Sequence, residues 1–126
     1  MSHTVEKIGG TSMSRLSELR ETLFIGDRAP SDIYNRIFVV SAFAGITNLL
    51  LEHKKSGELG VYALFANADS NHEWQDALDG VAEAMKSAHR EILTHGGDIQ
   101  QADMFVEDRI LGARNCLIDL QRLCSY

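Results

Sequence analysis

The apolar residues change their period repeatedly within the first 55 positions of the chain. Residues 4–8, TVEKI, form a short, partly β-branched run stopped by Gly9 and Gly10, the pattern of a strand feeding a tight turn. Leu16, Leu19, Leu23 and Phe24 then recur at three- and four-residue steps, which predicts a helix from Met13 to Ile25, ended by Gly26. A polar link, GDRAPSDIYN, leads to RIFVVSA, apolar on both faces as a buried strand of a parallel sheet is. A helical period resumes over FAGITNLLLEHKK, with Ile46, Leu49, Leu50 and His53 on one side and Lys54 and Lys55 in its last turn, where cations suit the helix dipole. Residues 4–55 therefore read as βαβα. Such crossovers are right-handed in nearly all proteins, which would set both post-strand loops facing each other at one sheet edge, the edge where open α/β sheets bind ligands.

The remainder predicts helices. SNHE at 70–73 has the form of a capping box, and Trp74, Ala77, Leu78, Val81, Met85, Ala88 and Ile92 keep a helical period as far as Leu93. HGGD supplies a glycine C-cap and Asp98 as the next N-cap, with Gln101 completing a second box. The second arm of this αα-hairpin carries Ile99, Ala102, Val106, Ile110, Ala113, Leu117, Leu120 and Cys124, a stripe that calls for a packing partner. Residues 59–67, LGVYALFAN, are too short to assign. The expected class is thus α/β: a βαβα unit over 1–58 and a helical hairpin over 59–126. The stripe still runs at Leu123 and Cys124 without a capping glycine, and two strands make a small sheet for so much apolar helix, so part of a larger domain is expected.

Composition narrows the partners. Eighteen acidic against twelve basic residues give a net charge of −6, which repels a phosphate backbone and an anionic bilayer, so neither nucleic acid nor membrane is expected to bind. Without a basic leader followed by an apolar stretch, a cytoplasmic protein is expected. Cys116 and Cys124 lack the spacing of a zinc or redox pair and read as packing residues; the scattered histidines predict no metal cage. An unpaired sheet edge and a long apolar helix face favour a homo-oligomer.

Chemistry concentrates in the two loops. KIGGTS and SAFAGITN each combine glycine with hydroxyls at the mouth of a helix, where main-chain N–H groups and Lys7 together would make an anion site. Taken alone, a lysine followed by two glycines fits plain turn geometry as well. The chain has no G-x-x-x-x-G-K-[ST], no G-x-G-x-x-G and no G-x-S-x-G, which excludes the P-loop and removes the fingerprints of dinucleotide folds and α/β-hydrolases.

VEKIGGTSM resembles the opening of the aspartate kinases, a branch of the amino-acid kinase family, whose usual form is a lysine, an aromatic residue and then GGTS; Ile8 takes the aromatic place, a packing change. VVSAFAGITNLL resembles that family's second motif in the same βα context, and LLLEHKKSGELGVYALFA is similar to the aspartate kinases of ectoine biosynthesis. The resemblance implies transfer of the γ-phosphoryl of ATP to the β-carboxylate of L-aspartate. Lys7 would be catalytic and hold the phosphates, with Ile8, Gly9, Gly10, Thr11, Ser12 and Ser41 around them. Thr11 and Ser12 would also cap the first helix. Ser41, Gly45 and Thr47 would form the acceptor side, Thr47 touching aspartate, and Mg²⁺ would arrive with the nucleotide. The family's nucleotide-binding half and regulatory domains have no counterpart here, so the chain alone is expected to be inactive. Another acceptor within the amino-acid kinase family, or a non-catalytic helical interaction module, are the alternatives.

Overall fold

The structure, a computed structural model, describes residues 2–67 and 72–124. It divides into two compact units, one ending at Ala44 and one beginning at Gly45. The capping box expected at 70–73 rests on Ser70, which lies outside the described residues.

In the first unit, β1 (Thr4–Ile8) falls where the β-branched run predicts it. The helix expected over 13–25 is not one α-helix. It is a 3₁₀ turn (Ser12–Ser14), a short α1 (Leu16–Leu19) and a π turn (Arg20–Phe24) in succession. Hydroxyl groups compete with the regular ladder here: Ser14 Oγ donates to the carbonyl of Thr11 at 2.6 Å and Thr22 Oγ1 to that of Glu18 at 2.7 Å. Gly26, at φ +51°, ends the segment, and a Cβ there would stand 2.8 Å from the carbonyl oxygen of Glu21. The polar link holds a further helix, α2 (Pro30–Ile33), with proline in its first turn, where the missing N–H costs nothing.

Next comes β2 (Arg36–Val40), parallel to β1 in the register Thr4↔Arg36 through Ile8↔Val40. The strand is not buried on both faces as its composition suggested: Ile37, Val39 and Val40 are each more than half exposed, while Arg36 and Phe38 are partly covered. The covered face is organised by Phe24, whose ring meets Phe38 edge to face at 4.9 Å, and by Arg36, which lies 4.6 Å over Phe38 and bonds the carbonyls of Leu23 and Phe24.

The second unit opens with α3 (Ile46–Leu50), shorter than its apolar period predicts. The chain leaves the helix because Glu52 pairs antiparallel with Leu59 and His53 N–H donates to the carbonyl of Glu58 at 2.8 Å. Lys54 and Lys55 therefore sit in a turn, not at a helix end. Residues left unassigned from sequence form α4 (Val61–Ala66), followed by α5 (Glu73–Arg90) and α6 (Gly96–Cys124).

Helices α5 and α6 are the expected hairpin. Asp79 pairs with Arg114, Lys86 with Glu107 and Arg90 with Asp103, stepping seven and then four residues in opposite directions on the two helices. The core of this unit is Trp74, Leu78, Val81, Ala82 and Val106 with Ile46 and Val61. Gly96 and Gly97 begin α6 instead of capping α5, neither has positive φ, and Asp98 stands inside the first turn, where its charge meets the helix dipole, not at the N-cap. Of the predicted stripe, Val106 is buried, Ile99, Ala102, Ile110 and Leu117 are half-buried, and Ala113, Leu120 and Cys124 are exposed. Cys116 and Cys124 are both free and exposed, contrary to the packing role expected of them. Length explains the far end: α6 has 29 residues against 18 in α5, so its last turns run past their partner. No helix among the described residues is long and apolar enough to cross a membrane.

Candidate functional site

Strand alternation separates the two residues that end β1. Ile8 is 2% exposed and fixes the strand by packing, so only its main chain is available to a ligand. Lys7 lies on the opposite face with Val5, Ile37 and Val39, is exposed, and makes no ion pair with any described residue. Ser41 follows β2 directly and its N–H donates to the carbonyl of Ile8 at 3.0 Å, so Lys7, Ile8, Gly9 and Ser41 meet at one end of the strand pair.

The glycines beyond Ile8 are open. A Cβ built on Gly9 or Gly10 would have nothing within 4 Å, and neither residue has positive φ. A positive φ and close packing, two ordinary structural reasons for glycine, are thus absent at both. What glycine leaves there is bare main chain that another molecule can approach. The Gly9 carbonyl accepts from Met13 N–H at 3.1 Å, while the N–H groups of Gly10, Thr11 and Ser12 have no acceptor among the described residues. Thr11 occupies the N-cap of the 3₁₀ turn without a side-chain cap bond. The capping role expected of Thr11 and Ser12 is therefore not seen: Ser14 bonds the Thr11 carbonyl instead, and both hydroxyls stand exposed.

At the other end of the strands, Arg36 holds the carboxylate of Glu6 with Nε and Nη2, at 2.8 and 2.9 Å. That hydrogen-bonded guanidinium holds Glu6 below the usual carboxylate range despite its partial burial.

Gly45 and Thr47 belong to the second unit. Gly45 is the N-cap of α3 at φ +83°, a conformation that excludes most side chains, and Thr47 is exposed on the first turn. Beside them a cavity of about 260 Å³ is lined by Gly45, Asn48, Leu49, His53, Glu58 and Leu59. Sequence reasoning missed this cavity because it carried the helix through His53. The missed signal was Gly57 with Gly60, a pair that closes a hairpin turn. Among the described residues no three His, Cys, Asp or Glu side chains gather as a metal site.

Over 124 residues the chain is 51% identical to "Aspartate kinase Ask_Ect" of Stutzerimonas stutzeri (strain A1501), a match that covers 98% of this chain. The chain spans 26% of the length of that relative. No family model and no solved structure matches. Along nearly the whole of its own length the chain is therefore similar to part of an aspartate kinase.

Proposed function

We propose that this chain supplies the phosphate loop and the acceptor loop of an enzyme that moves the γ-phosphoryl group of ATP to the β-carboxylate of L-aspartate, giving 4-phospho-L-aspartate. The observation that carries the reading is the pair of open glycines beside Lys7, which makes no ion pair with any described residue, at the end of β1. A β-carboxylate with an ordinary pKa near 3.9 is ionised at neutral pH, so the nucleophile needs no general base. Catalysis then consists of alignment and of neutralising the charge on the transferring group. Lys7 meets that charge and the N–H groups of Gly10, Thr11 and Ser12, without an acceptor among the described residues, donate to phosphate oxygens, with Ser41 alongside. Thr47 contacts the acceptor and Gly45 shapes its loop. Mg²⁺ comes in on the nucleotide's phosphates, and the remaining grips on nucleotide and acceptor come from the part of the enzyme that this chain does not span. The name of the relative and the LLLEHKKSGELGVYALFA segment favour an enzyme of ectoine biosynthesis.

The test is ATP-dependent hydroxamate formation from L-aspartate and hydroxylamine, run on the uninterrupted gene product and on this chain. Aspartate-dependent product from the longer protein, with none from the 126 residues alone, is the expected result. Product with glutamate or carbamate in place of aspartate would reassign the acceptor. A longer protein without any acyl-phosphate formation would leave the helical hairpin as an interaction module.

A further inference from the structure

The turn after α3 is built on one imidazole. His53 Nδ1 accepts the main-chain N–H of Ser56 at 3.0 Å and of Lys55 at 3.3 Å, so this nitrogen keeps its lone pair and the ring proton resides on Nε2. The same residue closes the turn through its backbone: His53 N–H donates to the Glu58 carbonyl and Gly57 N–H to the His53 carbonyl, both at 2.8 Å. The turn in turn grips α3. Gly60 N–H donates to the Leu51 carbonyl at 3.1 Å, and Leu51 N–H donates to the Thr47 carbonyl at 3.0 Å. Gly60 also lies so close to the end of α3 that a Cβ on it would stand 2.5, 2.6 and 2.8 Å from the carbonyl oxygens of Leu49, Leu51 and Asn48. A continuous path of hydrogen bonds and close contacts thus runs from the His53 ring to Thr47.

We propose that His53 is a positioning residue for the acceptor side of the reaction: its Nδ1 orders the 52–60 turn, which fixes the five-residue helix carrying Thr47. A helix of that length does not hold itself, since nucleation is costly and few internal bonds follow it, so its geometry comes from what is packed against its end. The cavity lined by both Gly45 and His53 shows how near the turn lies to the acceptor loop. The pattern at His53, one side-chain acceptor taking the N–H groups two and three residues on, is one that Asn forms routinely with Oδ1. Asn at this position can keep the acceptor while losing the ring.

The first test is amide hydrogen exchange on this chain, comparing the native sequence with His53→Ala and His53→Asn. Faster exchange of the Leu51 and Gly60 amides in His53→Ala, restored in His53→Asn, is expected; unchanged exchange in His53→Ala overturns the inference. The kinetic consequence rests on the aspartate kinase reading and is measured on the longer gene product. There His53→Ala should raise the KM for L-aspartate about tenfold while the KM for ATP and kcat stay within about twofold, and His53→Asn should return the aspartate KM to near its native value. An equal rise in both KM values, or an Asn variant that folds but does not recover, overturns it. A native protein without aspartate-dependent activity sinks the functional reading instead, and the exchange data still decide the role of His53 in the turn.

Discussion

Arg36 clasps Glu6 across the strand pair with two parallel bonds, Nε to Oε1 at 2.8 Å and Nη2 to Oε2 at 2.9 Å. The same guanidinium bonds the carbonyls of Leu23 and Phe24, so one side chain ties β1, β2 and the helical crossover together. Because this contact holds Glu6 below its ordinary 4.5, its stabilisation is present above that pH and is lost as pH falls through the lower value of the folded state. Glu6→Gln should therefore unfold at lower denaturant than the native chain at pH 7, and the difference should shrink below about pH 4.5. A gap of constant size down to pH 3 would show that the ion pair is not its source. Arg36→Lys keeps the charge but not the fork, and should behave more like Glu6→Gln than like the native chain.

Gly10→Ala separates fold from function. Its Cβ would meet nothing within 4 Å and its φ is not positive, so the change should leave stability within about 0.5 kcal/mol of native, or raise it slightly by restricting the unfolded chain. In the longer gene product the added methyl enters the space proposed for phosphate, and on that reading the KM for ATP should rise at least about tenfold. A stable variant with native ATP dependence would remove the glycine loop from the phosphate site. Lys7→Ala belongs beside it: exposed and without an ion pair among the described residues, Lys7 contributes little to folding, yet kcat of the longer gene product should fall by about 10² or more.

Both strands and the hairpin were legible because each rests on a local signal: β-branched runs, and apolar residues at helical spacing. The failures share a cause, which is that periodicity does not see side chains bonding to nearby main chain. Ser14, Thr22 and His53 each do so, and each marks a place where the expected helix is broken or stops early. The exposure of Ile37 and Val39 fails for a different reason. Composition reports that a strand is suited to burial on both faces, but covering the second face takes elements this unit lacks among its described residues. That Lys7, Gly9 and Ser41 share one end of the strand pair was legible, whereas the cavity at His53 was hidden by a helix that ends at Leu50.

In the hairpin, Asp103 accepts from His89 Nε2 at 2.7 Å and from Arg90 at 2.5 Å. Burial pushes its carboxyl up, but the His89 bond and the Arg90 charge outweigh this and hold it below 3.8. The contribution is thus present above that pH and lost as pH falls below it. Lys86, bonded to Glu107 at 2.7 Å, is displaced the other way, above 10.5, so its contribution is present at neutral pH and lost in strong alkali. Asp103→Asn should lower the thermal midpoint at pH 7 more than Glu107→Gln, because it leaves the buried His89 with a weaker partner, whereas Glu107 is 60% exposed and its pair is screened. Equal shifts would mean that the clasp at His89 adds nothing beyond a surface pair.

Gly60→Ala should be more damaging than Gly45→Ala or Gly10→Ala, and the reason is distance. The three carbonyl oxygens at 2.5–2.8 Å belong to main chain at the end of α3, which cannot rotate away as a side chain would. The backbone must shift, at a cost of about 1–3 kcal/mol, typical of overpacking. Gly45→Ala meets no such obstacle and bears only the strain of φ +83°, of order 1 kcal/mol. Denaturant unfolding of this chain should accordingly rank Gly60→Ala below Gly45→Ala, and Gly45→Ala below Gly10→Ala. In the longer gene product the two outer members should also differ in which substrate suffers: Gly60→Ala displaces the helix that carries Thr47 and should raise the aspartate KM, while Gly10→Ala should raise that of ATP. If both changes instead weakened ATP and aspartate alike, the two loops could not be assigned to separate substrates.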